Sequence, residues 1–186
     1  GPSSQGGVLS RRPAPSPAPS ASAPSASDDD KLDRPLPEGA VVFTGRWKLN
    51  LQRSDDPSEM LKAMNVPWAA RAAVVRYART VEIQQDGLQW TETMITPVVK
   101  KTVVMTLDGT PYVEMSPVDK STLTMRSRYS EDGQEVVTRS ESSDGMRSQV
   151  VARRLIEDGK VYYTVNALKV AGGKEYVTNN YFDRVE

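Results

Sequence analysis

Apolar and polar positions divide the chain into three regimes. Over residues 1–27 nearly every position is Ser, Pro, Ala or Gly, and Val8 and Leu9 are the only large apolar side chains. Such a stretch cannot bury enough apolar area to offset chain entropy, so it is expected to be disordered. Asp28-Asp29-Asp30-Lys31 is a short solvated charge run, and Pro35 and Pro37 keep the linker extended. The expected division is a Ser/Pro/Ala-rich tail and linker over 1–38 and one folded unit over 39–186.

The second regime opens with "VVFTGRWKLNL", a strand pattern, and continues as "SDDPSEMLKAMNVPWAARAAVVRYA". Here Asp56 is placed to cap a helix, with Pro57 at the first helical position and Glu59 at the third, a capping-box arrangement. Met60, Leu61 and Met64 give that helix an apolar face, and Asn65 ends it. A second helix is predicted from about Pro67 to Ala78, favoured by Ala69, Ala70, Ala72 and Ala73.

After Arg79 the third regime is a train of strands. Turns are marked at Asp86-Gly87, Asp108-Gly109, Asp132-Gly133, Asp144-Gly145, Asp158-Gly159 and Gly172-Gly173, with a further break at Ser116-Pro117. Asp-Gly supplies the positive φ that a tight hairpin needs. With the opening strand this gives about ten strands. Their short spacing suits an antiparallel meander, because βαβ crossovers need a helix between strands. The predicted fold is all-β: a ten-stranded antiparallel up-and-down barrel with a helix-turn-helix between the first and second strands.

Alternation along these strands bears on the interior. Val161, Tyr163, Val165 and Ala167 share one face, and Tyr162, Thr164, Asn166 and Leu168 the other. The strands at Glu135 and Glu175 have no wholly apolar face. A solid sandwich core would want apolar residues at nearly every inward position. A barrel with a wet lumen would not, since polar groups there bond to ordered water. The pattern therefore points to a ligand cavity.

Composition narrows the chemistry. The 186 residues include no His and no Cys, which excludes a Ser-His-Asp triad, a cysteine nucleophile, a zinc finger, a CxxC pair and disulfides. No metal and no cofactor are expected. The 24 basic and 24 acidic residues leave no positive surplus, which argues against nucleic-acid binding. No apolar run approaches the roughly 18 residues of a membrane span. Absence of cysteine fits a reducing compartment. Gly1-Pro2 resembles a protease remnant. Arg11 and Arg12 among Ser and Ala have a transit-peptide flavour, for which a flexible linker is the simpler reading.

Phe43-Thr44-Gly45-Arg46-Trp47-Lys48 resembles the opening Phe-x-Gly-x-Trp-Lys strand of the intracellular lipid-binding proteins, the fatty-acid-binding and cellular retinoid-binding proteins. "MLKAMNVPWAARAA" is similar to that family's helix-turn-helix lid, including Val66, Trp68 and Arg71. "VVARRLIEDGKVYYTV" is similar to its eighth and ninth strands, and "YFDRVE" to its closing strand. Extracellular lipocalins share Gly-x-Trp but not the lid. The resemblance spans about residues 40–186. It implies a cytoplasmic, monomeric carrier holding one hydrophobic ligand, a fatty acid, a retinoid or a related lipid, under the lid.

Many members of the family hold a ligand carboxylate with two arginines and a tyrosine, because a carboxylate leaving water needs charge-assisted hydrogen bonds. The matched strands put Arg153 at the first arginine position, with Arg154 outward; a one-residue bulge would exchange them. At the second arginine and the tyrosine they put Asn180 and Phe182, or Asn179 and Tyr181 after a one-residue shift. Neither restores the arginine. Val151, Tyr163 and Val165 are further lining candidates on the barrel strands, and Leu61, Val66, Val74 and Tyr77 on the lid. Trp47 reads as core. Trp90 alternates with Glu92: if that face is inward, Glu92 is a buried carboxylate able to pair with Arg153 or with a basic ligand. Arg71, Arg76, Arg79, Lys100 and Lys101 read either as an ordinary solvated face or as a basic rim near the portal, for which the resemblance implies transient contact with an anionic membrane.

Three functions compete. The first is a carrier of a small hydrophobic ligand. The second is a non-catalytic interaction module kept for its surface within a larger assembly. The third is an enzyme relying on Glu92, Arg153, Tyr163 or a lysine, for which no spacing singles out a pair. The carrier is the expected function.

Overall fold

The computed structural model describes residues 36–115 and 120–186. The tail, the charge run and the Ser116-Pro117 break lie outside the described residues. The elements are β1 (Gly45–Leu49), α1 (Ser58–Ala63), α2 (Trp68–Arg76), β2 (Thr80–Asp86), β3 (Gln89–Ile95), β4 (Lys100–Thr106), β5 (Tyr112–Met115), β6 (Thr122–Tyr129), β7 (Glu135–Ser142), β8 (Arg147–Ile156), β9 (Val161–Val170) and β10 (Glu175–Val185). The ten strands form one antiparallel sheet in the order β4-β3-β2-β1-β10-β9-β8-β7-β6-β5. Pairing of β1 with β10, Arg46 opposite Val185, curls the sheet into a nearly closed barrel. The seam lies between β4 and β5, which Lys101 Nζ and Glu114 Oε2 approach across at 4.0 Å. The predicted barrel and helical insertion are both present.

Local chemistry accounts for the turns. The expected glycines all sit at positive φ, from 57° at Gly87 to 93° at Gly172. Asn65, at φ 61°, ends the first helix in the left-handed region that Asn tolerates. The helix boundaries shift slightly from the expectation. The first helix begins at Ser58, with Pro57 in the cap position, while Asp56 Oδ1 still accepts from the Ser58 N–H at 2.8 Å. The second helix stops at Arg76 because Tyr77 is already extended. The opening strand is also shorter than its apolar pattern. The preceding segment instead crosses the barrel's closed end, where Phe43 N–H donates to Gln85 Oε1 at 2.9 Å and Tyr129 Oη donates to the Val41 carbonyl at 2.7 Å.

That closed end holds an aromatic core. Phe43, Trp47, Trp90, Tyr162 and Phe182 are all essentially buried. Phe43 lies 5.3 Å from Trp90, and Tyr162 touches Phe43, Trp47 and Phe182 at ring separations of 6.0, 5.7 and 5.3 Å. Leu49, Val81, Ile83, Leu88, Met105, Leu107 and Val136 complete the cluster. Burying each large side chain contributes about 1.5–3 kcal/mol. Gly45 leaves room beside Trp47: a Cβ there would fall 2.8 Å from Arg184 Nη1 and 3.1 Å from the Trp47 ring. The Arg184 guanidinium itself lies 4.2 Å from that ring's centroid.

Candidate functional site

The register fixes which side chains face inward. Arg153 pairs across from Thr164 and Val136, and Asn180 from Thr164, so these side chains share the inner face with Thr138. Alternation then places Gln149, Val151, Asn166, Thr178 and Phe182 inward as well. Trp90 and Glu92 also face in, which decides the alternative left open by the sequence.

The inward polar groups bond mainly to one another. Ser127 and Thr138 hydroxyls are 2.8 Å apart, Arg153 Nη1 donates to Thr138 Oγ1 at 2.6 Å, Asn180 Nδ2 donates to Thr164 Oγ1 at 3.2 Å, and Gln149 Nε2 donates to Asn166 Oδ1 at 2.6 Å. Trp90 Nε1 donates to Glu92 Oε1 at 3.3 Å. Arg153 makes no ion pair with Glu92; its guanidinium lies 5.7 Å from the Trp90 ring centroid. Burial pushes the Tyr162 phenol far above its ordinary pKa, against the opposing pull of Arg153.

Above this layer a cavity of about 460 Å³ opens beneath the helices. Its roof is apolar: Met60, Leu61, Met64, Ala73, Val74 and Tyr77 from the lid, with Val98 and Val99 from the β3–β4 turn. Its floor and far wall are polar: Arg79, Gln149, Asn166, Thr178 and Asn180. One end of the space suits a polar group and the other an apolar body.

Several candidates stand where the sequence put them and others do not. Leu61, Val74, Tyr77 and Asn180 line the cavity. Arg153 and Phe182 face inward but belong to the packed layer below. Val151 faces inward without lining the cavity. Val66 is taken up by the helix turn, where its N–H bonds to the Leu61 carbonyl at 3.0 Å and its own carbonyl accepts from Arg71 Nη1 at 2.6 Å. Tyr163 and Val165 are corrections. They lie on the outer face, because β9 turns Tyr162 and Thr164 inward. Tyr163 Oη donates to Asn179 Oδ1 at 2.6 Å, and its ring lies 4.9 Å from that of Tyr181. Arg154 is also outside, its Nε 2.6 Å from the buried Glu135 carboxylate.

The largest correction concerns Arg79. It is not part of the rim. Val81 and Ile83 are buried inward residues of β2, and period-two alternation carried back by two positions reaches Arg79. Its guanidinium lies 5.2 Å from the Phe182 ring centroid at the cavity floor. Burial lowers its pKa, partly offset by Glu92 and Tyr162. Met94, two residues beyond Glu92, and Thr178, two before Asn180, were reachable by the same alternation.

No family model matches the chain, and no curated protein matches it by sequence. Solved structures do match by shape. Caenorhabditis elegans lipid binding protein 8 superposes with TM-score 0.64 at 18% identity, over 79% of this chain and 99% of that one. The REP1-NXSQ fatty acid transporter gives 0.61 at 21% identity, over 77% and 96%. Human cRBP IV gives 0.61 at 15%, over 78% and 99%. Strand order, lid position and these superpositions agree: the chain has the fold of the fatty acid-binding and retinoid-binding barrels.

Proposed function

We propose that this protein binds and carries one small hydrophobic ligand, a fatty acid, retinoid or related lipid, in the cavity beneath α1 and α2. The observation that carries the reading is the space of about 460 Å³ with an apolar roof and polar floor. It lies within the roughly 300–1,000 Å³ range of small-molecule sites. Each buried methylene contributes about 0.8 kcal/mol, so about ten of them supply about 8 kcal/mol before association costs. The named functions of the structural neighbours support the same reading. The ligand is held non-covalently, without catalysis, by Leu61, Val74, Tyr77 and Asn180 together with Arg79, Met94 and Thr178.

The mouth supports a further element of the proposal. Val98, which lines the cavity, is 70% exposed, and Trp68, 75% exposed, borders a separate pocket on the helix pair together with Arg71 and Arg76. Delivery by transient contact with an anionic membrane suits that combination, each basic residue contributing about 1 kcal/mol near such a surface. The carrier is read as monomeric and as cytoplasmic, the latter suited by its lack of cysteine.

The packed lower half of the barrel favours a second reading, a non-catalytic interaction module. Displacement of an environment-sensitive fluorescent lipid, paired with native mass spectrometry of the purified chain, separates the two. Carriage predicts saturable displacement at one site per chain. No displacement by any lipid class, and no retained small molecule, overturns it.

A further inference from the structure

The carrier reading leaves open what the polar end of the cavity recognises. Arg79 is the one cationic side chain among the cavity's lining residues. Among the described residues its guanidinium makes no hydrogen bond and no ion pair; it rests on the face of Phe182 at 5.2 Å. Arg153, the arginine the family resemblance points to, is engaged elsewhere: it donates to Thr138 and stacks over Trp90 below the floor. Arg79 thus lines the cavity with no hydrogen-bonded or ion-paired counter-charge. A partly desolvated cation lacking a partner is unfavourable, and an incoming monoanion would satisfy it.

Resting on the carrier reading, we infer that Arg79 anchors the ligand, which is a carboxylate-bearing amphiphile seated with its head at Arg79 and Asn180 and its apolar body against the lid. Asn180 donates one amide hydrogen to Thr164 and keeps a second for the head group. The planar fork of Arg79 suits a two-oxygen carboxylate. A cationic ligand would meet like charge. A neutral alcohol would leave the guanidinium unpaired. The anion site is therefore moved from the β10 arginine position, occupied here by Asn180, to the residue that precedes β2.

The test uses the full chain and two probes of equal length, dodecanoate and dodecanol, titrated by calorimetry at neutral pH. The wild type is expected to bind dodecanoate at least about tenfold more tightly, as a charge-assisted hydrogen bond in a desolvated site implies. Arg79→Gln should bring the two affinities within about threefold while dodecanol binding persists. Asn180→Asp, which places a competing carboxylate beside Arg79, should remove the preference by a second route. Arg79→Lys should keep part of it. Equal affinities in the wild type, or a preference that survives in Arg79→Gln or in Asn180→Asp, overturns the anchor and leaves carriage intact. If neither probe binds the folded wild type, carriage itself fails and the anchor with it.

Discussion

Below the level of Phe182 the barrel interior is a packed aromatic layer; above it, under the two helices, it is a cavity. Both halves are walled by the same strands. In the lower half, bulky rings from distant segments converge, with Phe43 against Trp90 and Tyr162 against Phe182. In the upper half the inward positions are Gln149, Asn166, Thr178 and Asn180, side chains too short or too polar to fill the space. The difference shows how one sheet can carry stability at one end and binding at the other. It also explains why an arginine at the family's usual place becomes part of the packed layer: the cavity does not reach down to it.

Substitutions at the two ends should therefore separate stability from binding. The largest expected effect is Trp90→Ala, which opens a void in the lower layer and should cost about 3–5 kcal/mol in urea unfolding. A loss under about 1 kcal/mol would mean that this layer is not the core. Next is Ala73→Trp, which fills the upper cavity from the lid. It should weaken lipid displacement by about tenfold or more, while Tm moves by only a few degrees. Retained affinity would place the ligand elsewhere. A smaller effect is expected from Arg153→Met. Because that arginine lies under the floor, dodecanoate affinity should change by less than about threefold, and a larger loss would merge the two halves. The smallest effect concerns the lid's own start. Bonds from the Ser58 hydroxyl and N–H lower the Asp56 carboxyl pKa. The contribution is therefore in place above the ordinary carboxylate range and is lost as pH falls through the lowered value. Amide-exchange protection factors in α1 should fall below that pH, and Asp56→Asn should remove that pH dependence.

The architecture was legible because its signals are local. Asp-Gly and Gly-Gly pairs mark the turns, and each of those glycines has positive φ. The helical pair announces itself between β1 and β2. The inward face was legible where a strand resembled the family's, as for Arg153 and Asn180, whose register puts both on the inner face. It was missed where apolarity stood in for direction. Val165 is only 6% exposed, yet it is buried on the outer face beside Ala152. Apolar alternation reports burial, and this barrel also buries parts of its outside. Arg79 was missed because it precedes the strand pattern and follows a helix with several surface arginines. The depth of the cavity was not readable at all, since it depends on Phe43 and Trp90 meeting across the barrel, which no local spacing encodes.

The pairing of β1 with β10 has a consequence for biosynthesis. Arg46 finds its partner at Val185, so a ribosome must emit the chain through β10 before the cylinder can shut. Until then two sheet margins stand open. The nascent chain must cross that interval without joining a neighbour, and long-range closure of this kind belongs to the slow end of folding, in milliseconds to seconds.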